Sequence, residues 1–213
     1  MRHINKGEEP ASLAAWKAEE IEDWKPTWQD LRAQEKRDLH HALLEEQGYI
    51  CCYCEMPIAR ETSHIEHLKP RSKYLELALE YGNLLASCQR ERRGVEHCGY
   101  NKDDWYDEAL LVSPLQENCA EFFKYDEDGH ILATEVPDRQ AAASTTIEKL
   151  GLGASNLVRM RKNAIEVVLD DTEELTHEEI EQLIEGFQLP DASGHYQEFG
   201  SAIAYILREY FLT

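Results

Sequence analysis

Four cysteines constrain this chain more than anything else in it. Cys51 and Cys54 stand two residues apart, and Cys88 and Cys98 follow with nine residues between them. A C-x2-C pair chelates one ion from a tight turn, and a second pair completes a tetrahedral thiolate cage. Such a closed cage holds structural Zn²⁺. Metal bonds, more than a large core, are then expected to fix the middle of the chain. The C-x2-C spacing also serves redox chemistry, but that use comes with a thioredoxin-like βαβ setting that is absent here. Cys52 and Cys119 are surplus to the cage and read as small buried side chains. His64 and His97 are alternative ligands that four cysteines make unnecessary.

At 213 residues the chain can bury one core, or one core with a smaller appended module. It has no run of eighteen apolar residues to span a membrane. Met1-Arg2-His3-Ile4-Asn5-Lys6 leads into acids and does not read as a signal peptide. A cytoplasmic setting is expected, and there cysteines serve as metal ligands more than as disulfides.

The expected fold class is α+β, mainly helical, in three segments. Residues 1–48 should form helices packed on the core. Thr27 is the expected N-terminal cap, Trp28, Leu31, Leu39, Ala42 and Leu43 mark the apolar face, and Gly48 is the stop. A shorter helix is expected around Trp16, Ile21 and Trp24. Residues 49–115 carry nearly all the chemistry. Residues 116–213 should begin with a hairpin, Glu121 to Tyr125 and His130 to Ala133 about an Asp128-Gly129 turn. Helices follow: one capped by Asn156 and bearing Leu157, Met160, Ala164, Val167 and Val168, one opened by a Thr176/Glu179 capping box, and a last one over Phe199 to Phe211.

The net charge of −20 argues against a chain that grips nucleic acid unaided. The charge is uneven. Residues 60 to 102 hold eight Lys or Arg against six Asp or Glu, so the remainder carries 14 bases against 36 acids. A basic partner is expected to supply much of any substrate grip.

Between the cysteine pairs lies His64-Ile65-Glu66-His67-Leu68-Lys69-Pro70-Arg71. Phosphodiester hydrolysis needs a base to deprotonate water and a divalent cation to stabilise the departing oxygen. A histidine suits the first role, and a carboxylate with an amide or imidazole partner suits a hard ion such as Mg²⁺ or Mn²⁺.

Cys51-x2-Cys54, Glu66-His67-x2-Pro70, Asn83-Leu84, then Cys88 and Cys98 with Asn101-Lys102, resemble the zinc-braced form of the HNH endonuclease motif. The resemblance implies a ββα-metal core, a hairpin and a helix around one catalytic cation. His67 would be the general base, Glu66 a cation ligand and Asn83 the residue that orients the histidine loop. Asn101 would be the last ligand, with His97 its rival and Asp103 a more distant one; His64 belongs to the same constellation. Lys102 reads as a solvated charge or a phosphate contact. Ile4-x-Lys6-Gly7-x2-Pro10, Leu44-Glu45-Glu46-Gln47 and Asn83-Leu84-Leu85-Ala86-Ser87-Cys88 narrow the likeness to the HNH subunit of Septu-type antiphage systems, including retron-attached ones. That family implies an ABC/SMC-like ATPase partner, with a retron reverse transcriptase and its msDNA in the retron-attached systems, and a DNA or RNA substrate. It matches roughly the first 135 residues.

Lys69, Arg71, Lys73, Arg90, Arg92 and Arg93 would steer the backbone as a group. The alternative from another class is a non-catalytic zinc adaptor whose helices dock a partner. Glu66, His67, Asn83 and Asn101 separate the two, because an adaptor has no chemical need of them. A sequence-reading zinc protein is disfavoured, since no helix gathers bases on one face.

Overall fold

A computed structural model describes residues 1–89, 94–170, 172 and 175–212. It is a mixed structure of helices and two small sheets. Among the described residues there are seven α-helices: α1 (Ala11–Lys17), α2 (Ala33–Glu46), α3 (Gly99–Lys102), α4 (Pro137–Lys149), α5 (Ser155–Asp170), α6 (His177–Gln188) and α7 (Gly200–Phe211). Each sheet is an antiparallel pair. β1 (Ser63–His67) joins β2 (Leu84–Cys88), and β3 (Phe123–Tyr125) joins β4 (Ile131–Ala133). No helix among the described residues is long and apolar enough to cross a membrane.

α2 buries Leu39, Leu43 and Leu44 against β2, whose five residues are all buried. Its C-terminal end is tied to the strand by Gln47. That side-chain amide donates to Ala86 O at 2.8 Å and accepts from Ala86 N at 2.7 Å, replacing the partner strand that this edge of β2 lacks. Glu46, one residue earlier, takes Lys6 Nζ and Gly7 N, each at 2.5 Å, and so straps the N-terminal segment across the hairpin. The stop at Gly48 has a steric reason. Its φ is +57°, and a Cβ there would lie 2.4 Å from the Tyr196 ring.

Several sequence expectations shift. Thr27 does not cap α2: it precedes a 3-10 turn over Trp28–Asp30, its hydroxyl donates to Asp30, and α2 starts only after an extended Arg32. Ile21 and Trp24 bridge each other in a turn, with Ile21 62% exposed, while α1 holds Trp16 alone of that trio. The second hairpin is shorter than expected, because Glu121 and Phe122 belong to a 3-10 turn. Asn156 lies inside the first turn of α5, and its amide meets His97 Nε2 at 3.4 Å. Val167 is exposed, and Ile165 and Arg161 take the buried face of α5. α4 had no forecast; its alanines and threonines carry a weak apolar stripe. The Thr176/Glu179 capping box forms as expected.

Candidate active site

The two cysteine pairs bring their sulfurs together at the β1–β2 hairpin, where Cys88 ends β2. In each pair the chain turns immediately after a cysteine, at Glu55 after Cys54 and Gln89 after Cys88, with φ of +62° and +63°. The Sγ atoms of Cys51, Cys54, Cys88 and Cys98 all lie within 4.8 Å of one another, and all four residues are buried. Tetrahedral zinc with bonds of ~2.3 Å spaces its sulfurs by about 3.8 Å; Cys54 and Cys88 stand 3.7 Å apart. The donor set and its spacing therefore fit a metal such as zinc. Burial pushes the Cys98 thiol well above its ordinary value, an opposition that a dication at the centre overcomes. Cys52 and Cys119 are buried and stand outside the cluster.

His97 is placed at this cluster. Its Nδ1 is 3.5 Å from Cys88 Sγ and 3.3 Å from Cys98 Sγ, so it acts as a neighbour of the thiolates.

β1 presents alternate residues to opposite sides, and this separates His67 from Glu66. His67 ends the strand opposite Leu84. Its Nε2 donates to Ala78 O at 3.1 Å, and its ring meets Trp28 edge-on at a centroid distance of 4.4 Å. A carbonyl can only accept, so Nε2 carries the proton and Nδ1 keeps its lone pair. Burial, with help from Arg71, lowers the His67 pKa to about 4 and holds the ring neutral at pH 7. Ala78 lies in the 68–83 loop, and Asn83 fixes that loop. The Asn83 side chain accepts from Lys69 N at 2.8 Å and donates to Lys69 O at 3.0 Å and Leu77 O at 3.1 Å.

Glu66 faces the other way. Lys102 Nζ reaches its Oε1 at 2.8 Å, the Tyr53 hydroxyl donates to the same oxygen at 3.2 Å, and His64 Nε2 stands 3.5 Å from Oε2. Burial opposes ionisation of Glu66, but His64 and Lys102 outweigh it and hold the carboxyl below its ordinary value. His64 Nδ1 donates to Gln89 O at 3.0 Å, so Nε2 is the nitrogen that faces Glu66 and could ligate a cation there. Gly99 leaves the space beside this pair open, since a Cβ there would fall 2.5 Å from Glu66 Oε2 and 2.6 Å from His64 Nε2. Two adjacent ligands of an octahedral cation at ~2.1 Å stand about 3.0 Å apart, so this 3.5 Å pair would have to close by about half an ångström to share one.

Asn101 is not brought to Glu66. Its amide donates to Lys149 O at 2.9 Å and approaches Glu148 O at 3.4 Å, closing the C-terminal end of α4. Lys102, expected to be solvated or on a phosphate, is instead 2% exposed and paired. The reason is positional: the single turn of α3, which follows Cys98, brings Lys102 to Glu66 and the His67 carbonyl on β1. Asp103 is the left-handed residue that ends α3, with φ of +48°. Of the basic group, Arg71 borders a cleft of about 540 Å³ that includes His67. Lys69 lies over the Tyr106 ring at 5.3 Å, and Lys73 is exposed. Arg90, Arg92 and Arg93 lie outside the described residues. Sequence reasoning missed Tyr53, Ala78 and Gly99; the last is the position a missing side chain could have signalled.

No family model matches the chain. The predicted HNH endonuclease of retron Vc95 from Vibrio cholerae serotype O1 biovar El Tor is 33% identical over 181 residues, which is 81% of this chain and 78% of that protein. The predicted HNH endonuclease of retron Ec83 from Escherichia coli is 29% identical over 208 residues, covering 78% and 79% respectively. These relatives make the chain a nuclease, and its buried four-cysteine cluster could hold a metal such as zinc. The chain belongs to the family of retron HNH endonucleases.

Proposed function

We propose that the chain is the nucleic-acid-cutting effector of a retron-linked antiphage system, with a ββα-metal core formed by β1, β2 and α3 and braced by structural zinc. The observation that carries this reading is the tautomer at His67: Nε2–H is committed to Ala78 O, which leaves Nδ1 to take a proton from water. His67 is the general base. Asn83 is a positioning residue that holds the loop supplying Ala78 O. Glu66 and His64 would hold a divalent cation, Mg²⁺ or Mn²⁺, beside Gly99. When bound, that ion supplies positive charge for the departing oxygen. Asn101 and His97, each engaged elsewhere, are left out of this ligand set. The boundaries 1–48, 49–115 and 116–213 describe an N-terminal helical strap, the nuclease core and a helical C-terminal region.

An ABC/SMC-like ATPase, together with the retron reverse transcriptase and msDNA, is the proposed partner set, and the acidic surface of this chain fits a complex in which other subunits hold much of the substrate. DNA is the proposed target and RNA the alternative. The test is cleavage of plasmid DNA and of total RNA, with and without the neighbouring ATPase, in Mg²⁺ or Mn²⁺. Metal-dependent cutting lost in His67→Ala is expected. The same cutting by His67→Ala as by the parent chain would overturn the assignment, and the absence of cutting with partner and both metals present would favour the zinc adaptor.

A further inference from the structure

α2 carries Ala33, Lys36, Arg37 and His40, the i, i+3, i+4, i+7 series that lines one face of a helix. That face forms one wall of the cleft containing His67, and β1 with Arg60 and Arg71 forms the other. His40 pins the two walls together through its Nε2, 2.9 Å from Ser63 Oγ. Among the described residues no aspartate or glutamate lines the cleft, although acids outnumber bases 42 to 22 in the chain. Arg60 has its own acid, Glu61, at 3.3 Å on the rim.

The cations converge on one ring. Lys36 Nζ is 5.4 Å and Arg71 Cζ 5.8 Å from the centroid of Trp28, and Trp28 abuts His67. Positive charge close to an aromatic ring suits a polymer that presents phosphates and bases in turn, with the rings stacking while the phosphates pair. The net charge repels polyanions overall, so a cleft with no acid among its described lining residues lets attraction act beside the histidine.

We propose that the α2–β1 cleft is the groove that seats the scissile strand, with Lys36, Arg37 and Arg71 on its phosphates and Trp28 against a base. This rests on the nuclease reading above and adds the surface that delivers the polymer to it. The helix supplying the wall lies outside the HNH motif itself.

The test reads binding separately from cutting. Full-length His67→Ala protein is titrated against fluorescein-labelled single-stranded and duplex oligonucleotides by anisotropy, from low to physiological salt. Adding Lys36→Glu and Arg37→Glu, both on an exposed helix face, is expected to weaken binding about tenfold or more at low salt. The slope of log affinity against log salt should fall by about two. Arg159→Glu, an exposed cation on α5, should change little, and melting temperatures should stay together. Equal losses in the Arg159 control, or no binding by the parent at low salt, would overturn the groove. So would polyglutamate competing as well as an oligonucleotide, which would point to an acidic protein segment. If wild-type protein cuts nucleic acid and the double substitution leaves KM unchanged, the groove fails while the nuclease stands.

Discussion

Lys102 and Glu66 form an ion pair of 2.8 Å whose side chains are 1% and 8% exposed, and the same ammonium donates to His67 O at 3.0 Å. One lysine thus holds the carboxylate and the backbone of the histidine beside it. Removing one partner of such a pair strands the other charge, at a cost of about 3–5 kcal/mol. Lys102→Met should therefore lower the urea midpoint strongly. Pairing it with Glu66→Gln should recover part of the loss, and a double variant as unstable as the sum of the two singles would show that the pair is uncoupled.

Asn83 makes three hydrogen bonds to the loop that backs His67. Asn83→Asp keeps the acceptor for Lys69 N but sets a carboxylate against the carbonyls of Lys69 and Leu77. Cleavage is expected to fall by about 10²-fold through misplacement of the base, with zinc content unchanged. Wild-type turnover in this variant would remove Asn83 from the assembly.

His67 has an ordinary pKa of 6.5 and is held at about 4 in the fold, by burial first and Arg71 second. The unfolded chain therefore binds the extra proton between these values. The stability gained by keeping the ring neutral is complete above pH 6.5 and is lost as pH falls through 4. An NMR titration, with His67→Ala for assignment, should show the ring resonance unmoved down to about pH 5. A midpoint near 6.5 would contradict the burial argument.

Cys51→Ser removes one of four ligands and should cost the protein its zinc, and with it the order of residues 49–102, by metal analysis and circular dichroism. Cys52→Ser and Cys119→Ser should retain one equivalent. Metal loss on substituting Cys52 would show that the cage has been drawn with the wrong sulfur.

The cage was legible because ligand spacing is a local matter: two knuckles announce themselves by residue type, and Cys52 could be set aside on crowding alone. His67 and Asn83 were singled out through resemblance, and the structure joins them to one loop, His67 through Ala78 O and Asn83 through Lys69 and Leu77. Motifs that resemblance flagged without explanation now have physical accounts. Lys6 and Gly7 meet Glu46, and Gln47 pairs with the edge of β2. What could not be read was direction. Asn101 and Lys102 are neighbours, and only the placement of a single helical turn decides which of them faces Glu66. The same limit hid the stripe of Lys36, Arg37 and His40, since a charged helix face is ordinarily just solvated until something across from it carries the chemistry. α4 escaped because its alanines and threonines are weakly patterned.

The cage draws its sulfurs from both sides of the strand that bears His67, and its last ligand, Cys98, leaves the ribosome thirty-one residues after that histidine. During translation the strand would therefore lack that brace until the fourth sulfur arrives. On the proposed reading, competence would follow synthesis and depend on how readily the cell can furnish the ion. A chain made in a metal-starved cell would be harmless to its maker.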